Sequence, residues 1–227
     1  MFISIANAIG SSSSSGIGGG ETNDPLTDAT FQTAINDILA QDPNGDFNLF
    51  PYGKIQDWDV SQVTNMSFAF NGKTTFNGDI SAWDTSSVTR MDWMFRNTLF
   101  NQPIGSWDVS SATTMSSMLR ECPFNQDINA WDTSSVTEMS FMFFNNRVFN
   151  QPLNNWDTSS VTSMSNMFTT SRGFNENISS WDTSSVTNMS NMFSGANTFN
   201  QPIGSWDVSS VNNMGSMFQS ASDFNQS

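Results

Sequence analysis

The chain has 227 residues and a formal net charge of −14, from 21 Asp and Glu residues against seven Lys and Arg residues. It contains no histidine and one cysteine, which excludes His-based acid–base catalysis, His or Cys metal sites and an intrachain disulfide. Because so acidic a chain cannot neutralise phosphates, we predict that it does not bind nucleic acid. The hydrophobic fraction of 37% predicts a folded chain rather than a disordered one.

The first residues predict no structure of their own. Residues 1–22 include the run SSSSSGIGGG, so we predict a flexible Ser/Gly-rich tail. The chain shows no apolar stretch long enough for a transmembrane segment, and its start lacks the basic residues of a signal peptide.

Residues 23–54 are predicted to form an N-terminal cap. The segment TDATFQTAINDIL (27–39) places Phe31, Ile35 and Ile38 on one helical face. Pro43-Asn44-Gly45 then breaks the pattern. We expect this helix to cover the apolar edge of the first repeat.

A repeat marked by Trp-Asp dominates residues 55–227. Successive tryptophans are 25, 24, 24, 25, 25 and 25 residues apart, and both 24-residue copies lack a residue just before the same Phe-Asn pair. A deletion confined to one place indicates a surface loop, with the rest of each copy in register. The repeat predicts a solenoid of about seven coils whose C-terminal end is uncapped. The marker tryptophans, assigned a structural core role, are Trp58, Trp83, Trp107, Trp131, Trp156, Trp181 and Trp206.

The columns of the repeat, counted from its tryptophan, predict one strand and one helix per coil. Ile or Leu at −3 and Val or Thr at +2 give I-x-x-W-x-[VT], the spacing of a leucine-rich-repeat strand. Met, Met, Phe and a small residue at +8, +11, +12 and +15 have the spacing of one helical face, with Thr at +6 as the expected N-cap. We therefore predict an α/β, leucine-rich-repeat-like solenoid with one short strand and one short helix in each coil.

The unit W-D-x-S-x-V-T-x-M-S-x-M-F-x-x-A-x-x-F-N-Q-x-I resembles the repeat of BspA-family leucine-rich-repeat surface proteins. The resemblance covers residues 24–227 and implies a right-handed solenoid, located extracellularly or on the cell surface. It also implies attachment or host interaction without catalysis. The chain departs from the family in lacking a lipobox cysteine near its start. Ala69 and Leu119 also replace the usual Met and Phe in two core columns. A virion is the alternative location, because this repeat variant also occurs in viruses.

The Asp that follows each tryptophan forms the first candidate row. In the strand prediction these carboxylates point away from the core at strand spacing and repel one another. We favour a local Asx turn in which each Asp accepts hydrogen bonds from the Ser two residues on, and we keep Ca²⁺ binding or an acidic ribbon as the alternative. The candidate metal residues are Asp84, Asp108, Asp132, Asp157 and Asp182, with Asp59 and Asp207 at the ends; no cofactor is predicted.

Two further sets of columns are polar. The Asn after each Phe predicts a buried ladder that bonds adjacent coils, with a glycan-binding row as the alternative. Its members are Asn101, Asn125, Asn150, Asn175 and Asn200, with Asn77 and Asn225 at the ends. Rows of Ser and Thr at +3, +4 and +6 are interpreted as turns and caps, with ice binding as the alternative.

The variable columns +10 and +13 are the candidate partner site. They hold large apolar and basic side chains at positions predicted to face solvent: Trp93, Phe141, Phe144, Arg96 and Arg120. Aromatic residues and arginines together are the composition of interface hot spots, although isolated surface aromatics are also common.

The functional prediction is a non-enzymatic protein that acts by surface adhesion or protein–protein recognition, with a protein or cell-surface ligand as its partner. The alternative is a structural or assembly protein, extracellular or in a virion, that self-associates through its uncapped C-terminal coil. A further alternative is a solenoid that binds Ca²⁺ or ice.

Overall fold

The computed structural model describes residues 24–48 and 51–226, so the tail predicted for residues 1–22 lies outside the described residues. Within the described residues, helix α1 (Asp28–Leu39) comes first, and a short 3₁₀ helix (Ile55–Asp57) follows it. Phe31, Ile35 and Ile38 are buried on one face of α1, as their spacing predicts. The Phe31 ring lies edge-on to Trp83 with its centroid 5.6 Å away, so α1 packs against the first repeats.

Hydrogen bonds also join α1 to the first repeat. The Asp28 carboxylate accepts the backbone N–H of Thr64 at 2.8 Å, its hydroxyl at 2.6 Å, and the N–H of Asn65 at 3.0 Å. The pKa of Asp28 is lowered, above all by the Thr64 hydroxyl, because these donors stabilise the ionised form. The cap and the first repeat are thus held together by both apolar and polar contacts.

Successive copies of the repeat lie against one another in register. Isolated parallel bridges connect position +7 of neighbouring copies, from Asn65–Arg90 through to Asn188–Asn213. The Thr at +6 donates both its N–H and its hydroxyl to the carbonyl of the preceding +6 Thr, for example from Thr113 to Thr89 at 2.8 and 3.1 Å. The prediction that this Thr caps a helix is wrong, because no helix follows it in the described residues, and its N–H and hydroxyl join neighbouring copies instead.

The tryptophan column is buried at the centre of the stack, with exposed fractions of 2% to 8%. From Trp83 onward, each indole Nε1–H donates to the carbonyl of the −3 residue of the preceding copy, at 2.8 to 3.2 Å. Rings of adjacent copies stack, as between Trp156 and Trp181 with centroids 6.4 Å apart. Each copy therefore buries its apolar side chains against its neighbours.

The predicted strand and helix of each coil are both wrong. In the described residues, α1 and the 3₁₀ helix are the only named helices, and no strand longer than an isolated bridge occurs. The segment expected as a strand closes a turn instead, in which the Trp83 N–H donates to the Ile80 carbonyl at 3.2 Å. The backbone N–H and carbonyl groups of this segment bond within the turn or singly to the adjacent copy, so they form no continuous β-ladder.

The segment expected as a helix consists of successive turns. Within a copy, the Met94 N–H donates to the Met91 carbonyl, three residues back. Alternate N–H groups, such as those of Met91 and Phe95, instead donate to carbonyls of the next copy, at 3.1 and 2.9 Å. In the second to sixth copies, positions +8, +11, +12 and +15 are buried as predicted, because a series of four-residue turns buries the same positions as a short helix. In the last copy, Met214 at +8 is exposed.

Candidate functional site

Two positions of every turn segment lie in the left-handed backbone region. At +10 and +14, φ is between 53° and 62° for every non-glycine residue. This conformation favours Gly and Asn, and it costs other residues about 1–2 kcal/mol each. Asn166 and Asn191 occupy +10 in two copies, whereas Phe68, Trp93 and Phe141 occupy it in three others. Bulky aromatic residues thus occupy a backbone position that disfavours them.

These aromatic side chains form a surface cluster with two arginines, which we name the aromatic–arginine patch: Phe68, Trp93, Arg96, Arg120, Phe141 and Phe144. Arg120 is central to it. Its guanidinium carbon lies 5.7 Å from the Trp93 ring centroid, 5.4 Å from that of Phe141 and 4.5 Å from that of Phe144. Distances of this size are typical of cation–π contacts. The five predicted partner-binding residues are all brought together.

Ser117 explains the position of the Arg120 side chain. It is the +10 residue of the copy between those of Trp93 and Phe141, and it is fully buried and small. The Arg120 guanidinium lies over the rings of both Trp93 and Phe141, in the place that an aromatic +10 side chain of its own copy would occupy. The column therefore alternates rings and cation across neighbouring copies, an arrangement that the +10 column taken alone did not predict.

One acidic residue borders the patch, and the patch extends beyond the predicted set. Glu121 pairs with both arginines: its carboxylate oxygens lie 3.6 Å from Arg96 Nε and 3.4 Å from Arg120 Nη2. At the other end, Phe68 stacks on Trp93 with centroids 5.8 Å apart and remains 50% exposed. The Arg96 guanidinium carbon lies 5.1 Å from the Trp93 ring centroid. The arginines are thus held in place by rings and by one shared carboxylate.

The row of Asp residues forms local turns in all seven copies. Each carboxylate accepts the backbone N–H of the Ser two residues on, at 2.9 to 3.1 Å. The Ser86 and Ser110 hydroxyls also donate, at 2.6 Å. The pKa values of Asp84, Asp108 and Asp132 are lowered, first by these serine hydroxyls and then by the backbone N–H groups.

The asparagine column forms a continuous ladder of hydrogen bonds. Each side-chain Oδ1 accepts the backbone N–H of the Asn in the next copy, at 2.8 to 3.1 Å. The ladder starts at Asn44 of the cap, a residue that the sequence predicted only as part of a helix breaker. The prediction that the ladder is buried is wrong, because Asn150 is exposed and Asn101 is half-buried. The column therefore lies at the partly exposed surface of the stack.

Among residues 24–48 and 51–226, no group of three or more His, Cys, Asp or Glu side chains is arranged to hold a metal ion. No helix in that part of the chain is long and apolar enough to cross a membrane. The single cysteine, Cys122, is buried, and this burial raises the pKa of its thiol to about 11. At neutral pH the thiol is therefore protonated and a poor nucleophile.

The comparisons with known proteins identify a family. The family described as "Mycoplasma protein of unknown function, DUF285" matches residues 44–154 and again residues 120–227. Because the two matches together span most of the chain, the protein belongs to this family, one of repeat-containing surface proteins related to the BspA-like repeats. Neither the curated proteins nor the solved structures contain a match.

Proposed function

We propose that this protein is a non-enzymatic, right-handed BspA-like repeat solenoid that recognises another protein at the cell surface or outside the cell. The aromatic–arginine patch is the proposed contact surface. Membership in the DUF285 family supports the surface location. The tail and the Ca²⁺ and ice alternatives remain predictions from the sequence.

The observation that carries this proposal is the position of the aromatic residues. Phe68, Trp93 and Phe141 occupy a left-handed backbone position at which other copies use Asn or Ser. Folding alone favours Asn over an aromatic residue there, since Asn tolerates the left-handed conformation and, like Ser, needs no burial. Aromatic residues at this position are therefore better explained by a contact that they make outside the chain.

The geometry also suits recognition. Trp93 and Arg120 are held by their neighbours before any partner binds, so little side-chain entropy is lost on binding. Trp and Arg in such clusters are the residues that contribute most to protein interfaces. The patch spans four adjacent copies, and its exposed end is Phe68.

The test uses a triple variant in which Phe68, Trp93 and Phe141 are each replaced by Asn, the residue of Asn166 and Asn191 in the same column. Fluorescently labelled wild-type chain is applied to an array of purified secreted and cell-surface proteins. We expect saturable binding to at least one protein, with affinity at least about tenfold lower for the variant.

The matched control changes the same column outside the patch, with Asn166→Ser and Asn191→Ser, and should bind like the wild type. Equal binding by the triple variant and the wild type would contradict the proposal. Circular dichroism and urea unfolding of each variant establish that the fold is retained.

A second candidate function is assembly through the last repeat, and a specific observation favours it. Val208 and Met214 are each 44% exposed, whereas Met189, the counterpart of Met214 one copy earlier, is fully buried. A second chain stacked on this face would bury both side chains. Light scattering after size exclusion should then show a mass that increases with protein concentration, and a constant monomer mass would contradict assembly. Repeating the measurement with millimolar Ca²⁺ tests the metal alternative.

A further inference from the structure

The charges of this acidic chain are unevenly distributed. We name the residues from +7 to +17 of each copy the turn face. Six of the seven Lys and Arg residues lie on it, against four of the 21 Asp and Glu residues, so it has a net charge of +2. The rest of the chain has a net charge of −16. A partner drawn to the turn face by its charge is therefore acidic.

The two 24-residue copies create a groove on this face. Both lack a residue in the loop before Phe100 and Phe124, while the copies on either side keep it. A depression of about 360 Å³ lies over the shortened loops, lined by Leu99, Pro123 and Val148 among others. Leu99 is 55% exposed and Val148 is 48% exposed, so the groove offers aliphatic surface to a ligand. Glu121, which pairs with both patch arginines, also lines it, so groove and patch are continuous.

Two arginines at this edge have no acidic partner among the described residues. Arg147 lines the groove, and its Nε–H donates to Asn145 Oδ1 at 2.9 Å, which fixes the direction of the side chain. Arg172 occupies the same position in the next copy, and its loop packs directly on the first: a Cβ added to Gly173 would lie 2.8 Å from the Arg147 carbonyl oxygen. In a chain with 21 acidic residues, two arginines in contacting loops, without an acidic partner among the described residues, offer a site for carboxylates.

The ring geometry favours a peptide over a sugar. Trp93 is covered by Phe68 on one side and by Arg96 and Arg120. Sugars stack on open ring faces, and the contacts with Phe68, Arg96 and Arg120 leave Trp93 little open face for a sugar. The aliphatic lining of the groove points the same way.

We propose that the groove over the two shortened loops binds an acidic peptide segment of the partner protein, with an aliphatic side chain in the groove and carboxylates on Arg147 and Arg172. This inference rests on the proposed function, since it names the chemistry of the protein that the patch contacts. The groove binds the aliphatic side chain of the peptide, and the arginines select for peptides that carry carboxylates.

The experiment selects binders for the immobilised full-length chain from a random 12-residue peptide library. We expect the selected peptides to combine Asp or Glu with Leu, Ile, Val or Phe. Synthetic copies should bind about tenfold more weakly to Arg147→Asn, where Asn is the residue of Asn197 at the same position. Lys54→Asn removes the same charge from the exposed cap and should bind like the wild type.

A second variant tests the groove itself. Inserting one Thr before Phe100 and one before Phe124 restores the 25-residue loop of the other copies and fills the depression. Because five copies of the chain already use this loop length, the variant is expected to fold, and it should lose the selected peptides.

Three results would overturn the inference: selected peptides without an acidic and aliphatic consensus, no selected peptide at all, or unchanged binding by both Arg147→Asn and the insertion variant. Heparin binding that depends on Arg147, with no peptide selected, would replace the peptide with an anionic polysaccharide. The array experiment with the triple Asn variant judges the proposed function separately, so the two failures are distinguishable.

Discussion

The row of Asp residues and the aromatic–arginine patch are both surface features of the same repeat. They differ in whether contacts within the chain account for them. Every Asp of the row accepts hydrogen bonds from its own turn, and all seven copies do so alike. The patch occurs in adjacent copies only and places Phe68, Trp93 and Phe141 in a conformation that disfavours them. A column that is uniform and internally satisfied is explained by folding, whereas a local and costly departure indicates a contact with another molecule.

The buried columns should show the largest effect of any substitution. Trp131 is 2% exposed, stacks on Trp156 and donates to the Ile104 carbonyl at 3.0 Å. Trp131→Ala should lower the free energy of unfolding by about 3–5 kcal/mol, because it leaves a cavity and an unpaired carbonyl. Urea unfolding followed by circular dichroism measures this. A loss below about 1 kcal/mol would show that the stack does not depend on this column.

The asparagine ladder should contribute less than the core. Asn125 Oδ1 accepts the N–H of Asn150 at 2.9 Å and the side chain of Gln151 at 3.3 Å. Asn125→Ala should cost about 1–2 kcal/mol in unfolding free energy, since two donors lose their acceptor. Asn125→Asp keeps the acceptor oxygen and is the control. If both variants unfold like the wild type, the ladder contributes no stability.

The patch should contribute little to stability, in contrast to the columns that build the fold. Phe68→Asn relieves about 1–2 kcal/mol of left-handed strain and loses about 0.5–1.5 kcal/mol of stacking on Trp93. The net change in unfolding free energy should therefore be below about 1 kcal/mol, measured by the same urea titration. A loss of about 3 kcal/mol would make Phe68 a structural residue and weaken the contrast.

The Asp row should make a small, pH-dependent contribution to stability. The folded-state pKa values of Asp84, Asp108 and Asp132 are lowered by their serine partners. A lowered pKa means that the folded state binds fewer protons. The stabilisation is therefore present above the unfolded pKa of about 4 and is lost as the pH falls through the folded values.

The measurement is the melting temperature between pH 6 and pH 3, for the wild type and for a variant with Asn at all three positions. Asn177, which makes the same turn with Ser179, shows that Asn is accepted in such turns of this chain. The variant should lose less stability toward acid than the wild type. Identical pH profiles would show that these turns do not titrate with folding.

The sequence by itself determined which residues are inside. The period of the tryptophans indicated the copies and their register. The offsets of Met, Phe and Trp indicated the buried columns, because apolar residues that recur at a fixed spacing face the core. It also placed α1 through the spacing of Phe31, Ile35 and Ile38. The Asx turns followed from Asp and Ser two residues apart, since those groups bond locally.

The tertiary structure alone decided the backbone and the grouping of the site. A spacing of i, i+3, i+4 and i+7 fits a helix and a series of turns equally well. The turns prevail here because the neighbouring copy accepts N–H groups, such as those of Met91 and Phe95, that a helix would have to satisfy itself. Gly and Asn at the left-handed positions were a signal for turns that the helical spacing obscured. The Arg120 guanidinium reaches the level of Ser117 between Trp93 and Phe141 because of contacts between different copies, and no single copy contains that information.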